Sequence, residues 1–114
     1  MPHLRLEYAQ ELEGLCDITA VLEQLHHAAL ATGQFQAAAI KVRALPCCHY
    51  LVAGQARAFA HLEVAILPGR DAVTQGAISD TLLAALVAAM PPLASASVNL
   101  TELSALAYRK HNDG

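Results

Sequence analysis

The residues of this chain that are equipped for chemistry are few. Pro2 follows Met1 directly, and a small second residue such as proline normally permits removal of the methionine, which leaves a free secondary amine. An unperturbed α-amino group titrates at about 8, and proline's somewhat higher. Such an amine serves as a base near neutral pH only if it is held unprotonated yet still basic. Burial among apolar groups and nearby positive charge both disfavour the ammonium form, and each unit of downward shift takes about 1.4 kcal/mol of differential interaction. Leu4 and Leu6 offer the apolar neighbours, and Lys41, Arg43 and Arg70 offer the charge. Those three make up nearly half of the 7 Lys and Arg residues, and all fall near predicted strand ends. If Met1 is retained, the same nitrogen is an amide and no base, and Pro2 is only the second residue of a strand.

The remaining candidates read as structure. His26–His27 and Cys47–Cys48–His49 set ligand types side by side, but adjacent residues on a helix or strand point apart. Neither group has the C-x2-C or H-x3-H rhythm of a closed tetrahedral site, so no metal is expected. Cys16, Cys47 and Cys48 form no disulfide framework and read as small buried hydrophobes. His3 and His61 are expected to be satisfied by hydrogen bonds within a sheet.

The elements that must position these groups follow from periodicity. His3 to Tyr8 alternates polar and apolar, which predicts a half-buried strand beginning almost at the terminus. Asp17 is placed to cap a helix through ITAVLEQLHHAALATG, with Gly33 at its C-terminal cap. Ala37 to Leu45 reads as a strand stopped by Pro46, and CCHYLVAGQ as a short extended piece with a turn at Gly54. Ala58 to Leu67 is the clearest strand; Asp71 caps a second helix that runs to about Met90, where two prolines end it. Ser97 to Leu103 is the last strand, and the polar tail YRKHNDG is expected to be loosely held. The order is β-α-β followed by β-α-β, one domain of two units at about 2–45 and 58–104. The paired stretches PHLRLEY and AHLEVAI hint at duplication of one unit.

Composition sets the outer limits. Of 114 residues 55% are hydrophobic and 15% charged, against about 25% charged in an average domain. A chain this short leaves about a third of its surface exposed, so burial against identical subunits is expected. A net charge of −3 offers no basic stripe for nucleic acid. The apolar run Leu82 to Met90 is about half of what a membrane span requires, so no membrane partner is expected and the run reads as a buried helix. No signal peptide opens the chain and the cysteine usage is not that of a secreted protein, which together predict the cytoplasm.

Four short stretches, in order and at matching separations, resemble one family. They are Met-Pro-His followed by a strand, ATGQF at Ala31 to Phe35, AAIKVR at Ala38 to Arg43, and FAHLEVAILPGR at Phe59 to Arg70. Together they resemble the 5-carboxymethyl-2-hydroxymuconate isomerases of the tautomerase superfamily. ILPGRD ahead of a helix also resembles the strand-Gly-Arg-helix junction of the small 4-oxalocrotonate tautomerases. The resemblance implies an α+β fold, in which two β-α-β units form a mixed four-stranded sheet with two helices on one face. It implies a homotrimer without metal or organic cofactor, whose amino-terminal proline is a general base. The substrate would be a small unsaturated keto or enol carboxylic acid, of the kind met in aromatic-compound catabolism. Carried over position by position, Pro2 takes the base role and Lys41, Arg43 and Arg70 hold carboxylate. Lys41 stands where the family has an arginine, and lysine offers a mobile point charge in place of a fork. The alternative is a trimeric ligand-binding or structural protein that kept the fold and lost the activity. A ferredoxin-like module sharing only the β-α-β pattern is the weaker option.

Overall fold

The computed structural model describes residues 1–112. Strand β1 spans Pro2–Ala9 and a 3-10 turn covers Gln10–Gly14, leading into helix α1, Ile18–Ala31. Strand β2 is Lys41–Cys47, β3 Phe59–Ile66, helix α2 Ala72–Ala89, and β4 Ser95–Glu102. The sheet order is β2-β1-β3-β4, with β1 parallel to β2, antiparallel to β3, and β3 parallel to β4. This is the mixed four-stranded α+β sheet anticipated, each β-α-β unit contributing one parallel pair.

Both helices start where capping chemistry places them. Asp17 accepts a hydrogen bond from the Thr19 amide at 3.0 Å, and Asp71 from the Thr74 amide at 2.8 Å. Gly33 closes α1 in the left-handed region, φ 75°, where a side chain would be strained. The apolar alternation of β1 and β3 puts Leu4, Leu6, Leu62, Val64 and Ile66 on the helix side, fully buried. Val21 and Leu25 from α1 and Ile78, Leu82 and Leu86 from α2 close the core over them.

Several boundaries differ from the expectations, for physical reasons. Ala37–Ala39 is a 3-10 turn, since a run of alanine is a poor strand former. β2 continues through Pro46 to Cys47, which is tolerated because β2 is an edge strand and proline's missing donor can face outward. The turn at Gly54 is a two-residue hairpin in which Val52 and Gln55 exchange backbone hydrogen bonds of 2.8 and 3.1 Å. Helix α2 is buried on one stripe only: Leu83 and Val87 are exposed, because a single sheet face receives the helix. By length and composition α2 is apolar enough to cross a membrane, yet here it packs on the sheet. Cys48 is exposed, contrary to its reading as a buried hydrophobe.

Among the described residues, the other sheet face carries the alternate side chains and no helix. There His61 bonds Ser97 Oγ through Nδ1 at 2.7 Å and Glu63 through Nε2 at 3.1 Å, while Asn99 donates to Glu63 at 2.7 Å. His61 is thus held within the sheet, as expected.

Candidate active site

Sheet topology gathers the chemically equipped residues at one edge. β1 starts there with Pro2, and α1 runs back along the sheet so that Gln34 and Phe35 return to it. β2 begins there, Lys41 pairing with His3. β3, antiparallel to β1, ends there with Ile66 opposite Pro2, and the chain goes on to Arg70. β4 runs parallel to β3 and delivers the tail to the same edge, where the Leu103 amide bonds Ile66 O at 2.7 Å.

These ends enclose a cleft of about 590 Å³, whose walls include Met1, Phe35, Leu67, Arg70, Tyr108 and Lys110. Pro2 lies fully buried on the helix side, directly behind Met1. Burial pushes the Met1 ammonium below its ordinary value, and the charges of Lys110, Lys41 and Arg70 push it the same way. The end of the chain therefore sits in surroundings that favour a neutral amine.

Arg70 is held rigidly in the wall. Its Nε donates to Gln34 Oε1 at 3.1 Å, one Nη2–H to Gln34 O at 2.8 Å, and one Nη1–H to Leu67 O at 3.4 Å. Its guanidinium lies 4.9 Å from the centre of the Phe35 ring, a cation–π contact that fixes the plane. Among the described residues one N–H on each terminal nitrogen is left over, which leaves donors for a carboxylate. The amino end of α2 next to Arg70 is already occupied by the Asp71 carboxylate, whose bond from Thr74 holds its pKa below the ordinary value.

Lys41 and Arg43 stand on the helix-free face of β2, in register with His3 and Arg5, and neither is among the residues lining the cleft. Lys41 acts on the terminus through its charge. An Arg43 N–H donates to His3 Nδ1 at 3.2 Å. The tail, expected to be loose, is docked instead: Ser104 Oγ accepts from the amides of Leu106 and Ala107, and the Tyr108 hydroxyl reaches His3 Nε2 at 3.0 Å and Met1 Sδ at 2.8 Å. Tyr108, Arg109 and Lys110 thereby join the cleft wall. Sequence reading passed over them because a polar terminal segment carries no periodicity; the aromatic within it was the available signal. The last residues, 113–114, lie outside the described part.

His3 is held below its ordinary pKa, chiefly by burial and then by the Arg43 and Lys41 charges. The unfolded chain therefore binds the extra proton first, and stability rests on the neutral ring. That contribution is complete above the ordinary value of 6.5 and is lost as pH falls toward the lower folded value. The wild-type melting temperature should therefore drop more than that of His3→Phe between about pH 7.5 and about pH 5.5. Equal drops in thermal melts would place the pH sensitivity elsewhere.

The family model for 5-carboxymethyl-2-hydroxymuconate isomerase matches residues 2–113. The chain belongs to this isomerase family. A solved 5-carboxymethyl-2-hydroxymuconate isomerase from Deinococcus radiodurans R1 is 28% identical, with 98% of this chain and 90% of that one covered and a TM-score of 0.85. Another solved 5-carboxymethyl-2-hydroxymuconate delta-isomerase is 25% identical over 99% of this chain and 89% of that one, with a TM-score of 0.80. A fused 4-OT solved as a wild-type symmetric trimer shares the fold at 21% identity, 89% and 85% coverage and a TM-score of 0.73. No curated protein matches the chain. As a member of the 5-carboxymethyl-2-hydroxymuconate isomerase family, the protein is an isomerase of the tautomerase type.

Proposed function

We propose that removal of Met1 frees the Pro2 amine to act as base and then acid on a small unsaturated keto or enol carboxylic acid. The observation that carries this reading is the place of Met1. It forms part of the cleft wall ahead of Pro2, together with the clamped Arg70, where burial and then the nearby positive charges disfavour an ammonium. The neutral nitrogen takes one proton from the enol or the carbon next to the carbonyl. A double bond shifts, and the same nitrogen returns a proton to another carbon, so the product is an isomer of the substrate. Arg70 grips a carboxylate through its spare N–H pair, with Arg109 and Lys110 adding positive charge along the wall. Lys41 lowers the amine's proton affinity from outside the cleft, and Arg43 acts from behind His3.

Alkylation by bromopyruvate, mapped by peptide mass spectrometry, tests the base. The expected product is Met1-free protein with a new N–C bond at Pro2 and bromide released. Modification of Cys48 or the other cysteines alone, or an intact Met1, would refute the reading.

The same proposal extends to assembly as a homotrimer. Leu45, Leu51, Val87 and Leu106 are exposed in the single chain, one sheet face carries no helix, and a relative of the same fold is a symmetric trimer. The sedimented mass of the untagged protein tests this, a monomer counting against it.

A further inference from the structure

Among the described residues, the Tyr108 hydroxyl is the side-chain donor of the cleft wall that bonds Met1, and the proton transfer at Pro2 leaves it unused. Its hydrogen bonds have a forced direction. A guanidinium only donates, so at 3.2 Å the Arg43 N–H gives its proton and His3 Nδ1 accepts. A neutral imidazole then carries its own proton on Nε2, which donates to the Tyr108 oxygen at 3.0 Å. The single hydroxyl proton must point elsewhere, and it points at Met1 Sδ, 2.8 Å away. The chain of donors runs Arg43, His3, Tyr108, Met1, and it cannot run backwards because Arg43 has nothing with which to accept. Burial, followed by the Arg43 and Lys41 charges, also lowers the basicity of His3, in keeping with the neutral ring.

Met1 Sδ is a weak acceptor, and it leaves with the methionine. The hydroxyl proton is then aimed into the space Met1 vacates, beside Pro2. We infer that Tyr108 donates this hydrogen bond to the enolising oxygen of the bound substrate, and that His3 and Arg43 are positioning residues that fix its direction. The inference rests on the Pro2 reading above. As the Pro2 nitrogen moves the substrate proton, negative charge gathers on that oxygen, so the bond strengthens in the transition state. No covalent bond changes at Tyr108: the phenol keeps its proton throughout.

The test compares processed wild type, Tyr108→Phe, His3→Phe and the double variant. Each is checked by intact mass for loss of Met1, then assayed for turnover of 5-carboxymethyl-2-hydroxymuconate and for the rate of Pro2 alkylation by bromopyruvate. Tyr108→Phe is expected to lower kcat about 100-fold, the lower end of the effect of deleting an oxyanion donor. KM should stay within about 3-fold, and alkylation of Pro2 should keep its wild-type rate. His3→Phe should also lower kcat, and the double variant should be no slower than Tyr108→Phe, because His3 acts through the hydroxyl. An unchanged kcat in Tyr108→Phe overturns the inference and leaves Pro2 standing. Parallel loss of turnover and alkylation also overturns it, by showing that Tyr108 only holds the terminus in place. If processed wild type neither turns over nor alkylates at Pro2, the Pro2 reading fails and takes this inference with it.

Discussion

Protein prepared while methionine removal is inhibited should isomerise 5-carboxymethyl-2-hydroxymuconate about 1000-fold more slowly than the processed chain, within the usual contribution of a general base. The two preparations differ by one residue and share every other side chain, so a difference in folding does not confuse the comparison. With Met1 attached, the Pro2 nitrogen is an amide whose lone pair is delocalised into the carbonyl, and Met1 stands in the cleft wall in front of it. With Met1 gone, the nitrogen is a secondary amine at the start of β1, held by the pairing of Pro2 with Ile66. Its environment also predicts the pH profile. The Met1 ammonium is lowered from 8.0 by burial first and then by Lys110, Lys41 and Arg70. The Pro2 amine, one residue further in, should feel the same influences in the same direction. A base whose pKa is lowered becomes active at lower pH, so kcat/KM should rise through an inflection below the ordinary value of a prolyl amine and then level off. Equal rates for the two preparations would remove Pro2 from the chemistry.

Arg70→Ala should lower kcat/KM about 30-fold, the effect of losing about 2 kcal/mol of charge-assisted hydrogen bonding. The loss is larger than for a surface arginine because the guanidinium is already immobilised. Gln34 and Leu67 take its other protons and Phe35 fixes its plane, so little side-chain freedom remains to be surrendered on binding. Arg70→Lys should recover only part of the activity, since an ammonium cannot reproduce the fork or the stacking over Phe35. The alanine variant should also move the inflection of the kcat/KM profile upward, because one of the charges opposing the ammonium is gone. Steady-state kinetics across pH reads both effects. A rate change with no shift of the inflection would confine Arg70 to carboxylate binding.

Local chemistry settled much of this protein without reference to its fold. The caps at Asp17 and Asp71 follow from short acceptor side chains ahead of apolar helical runs, and they appear as read. The alternation of β1 and β3 decided which residues reach the core, because side chains on a strand point to opposite faces in turn. The same alternation placed Pro2 on the helix side with Leu4 and Leu6, and the order of elements gave the α+β sheet. The likeness that named the family rests on matching residues in matching order, which a linear chain displays in full.

Spacing along the chain says nothing about which strand ends meet, and the cleft depended on that. Lys41 and Arg43 look like partners of Pro2 in sequence. The parallel register with β1 places both on the helix-free face, outside the cleft wall, from which Lys41 acts on the terminus by its charge and Arg43 bonds His3. Arg70 reaches the cleft because β3 runs antiparallel to β1 and ends opposite Pro2. Tyr108 lies 105 residues from His3 along the chain and within hydrogen-bond distance of it in the fold. It arrives because β4 is parallel to β3, so the tail emerges at the edge where β1 begins. A contact of that kind depends on the direction of every strand between its partners, and strand direction is set by the packing of the whole sheet.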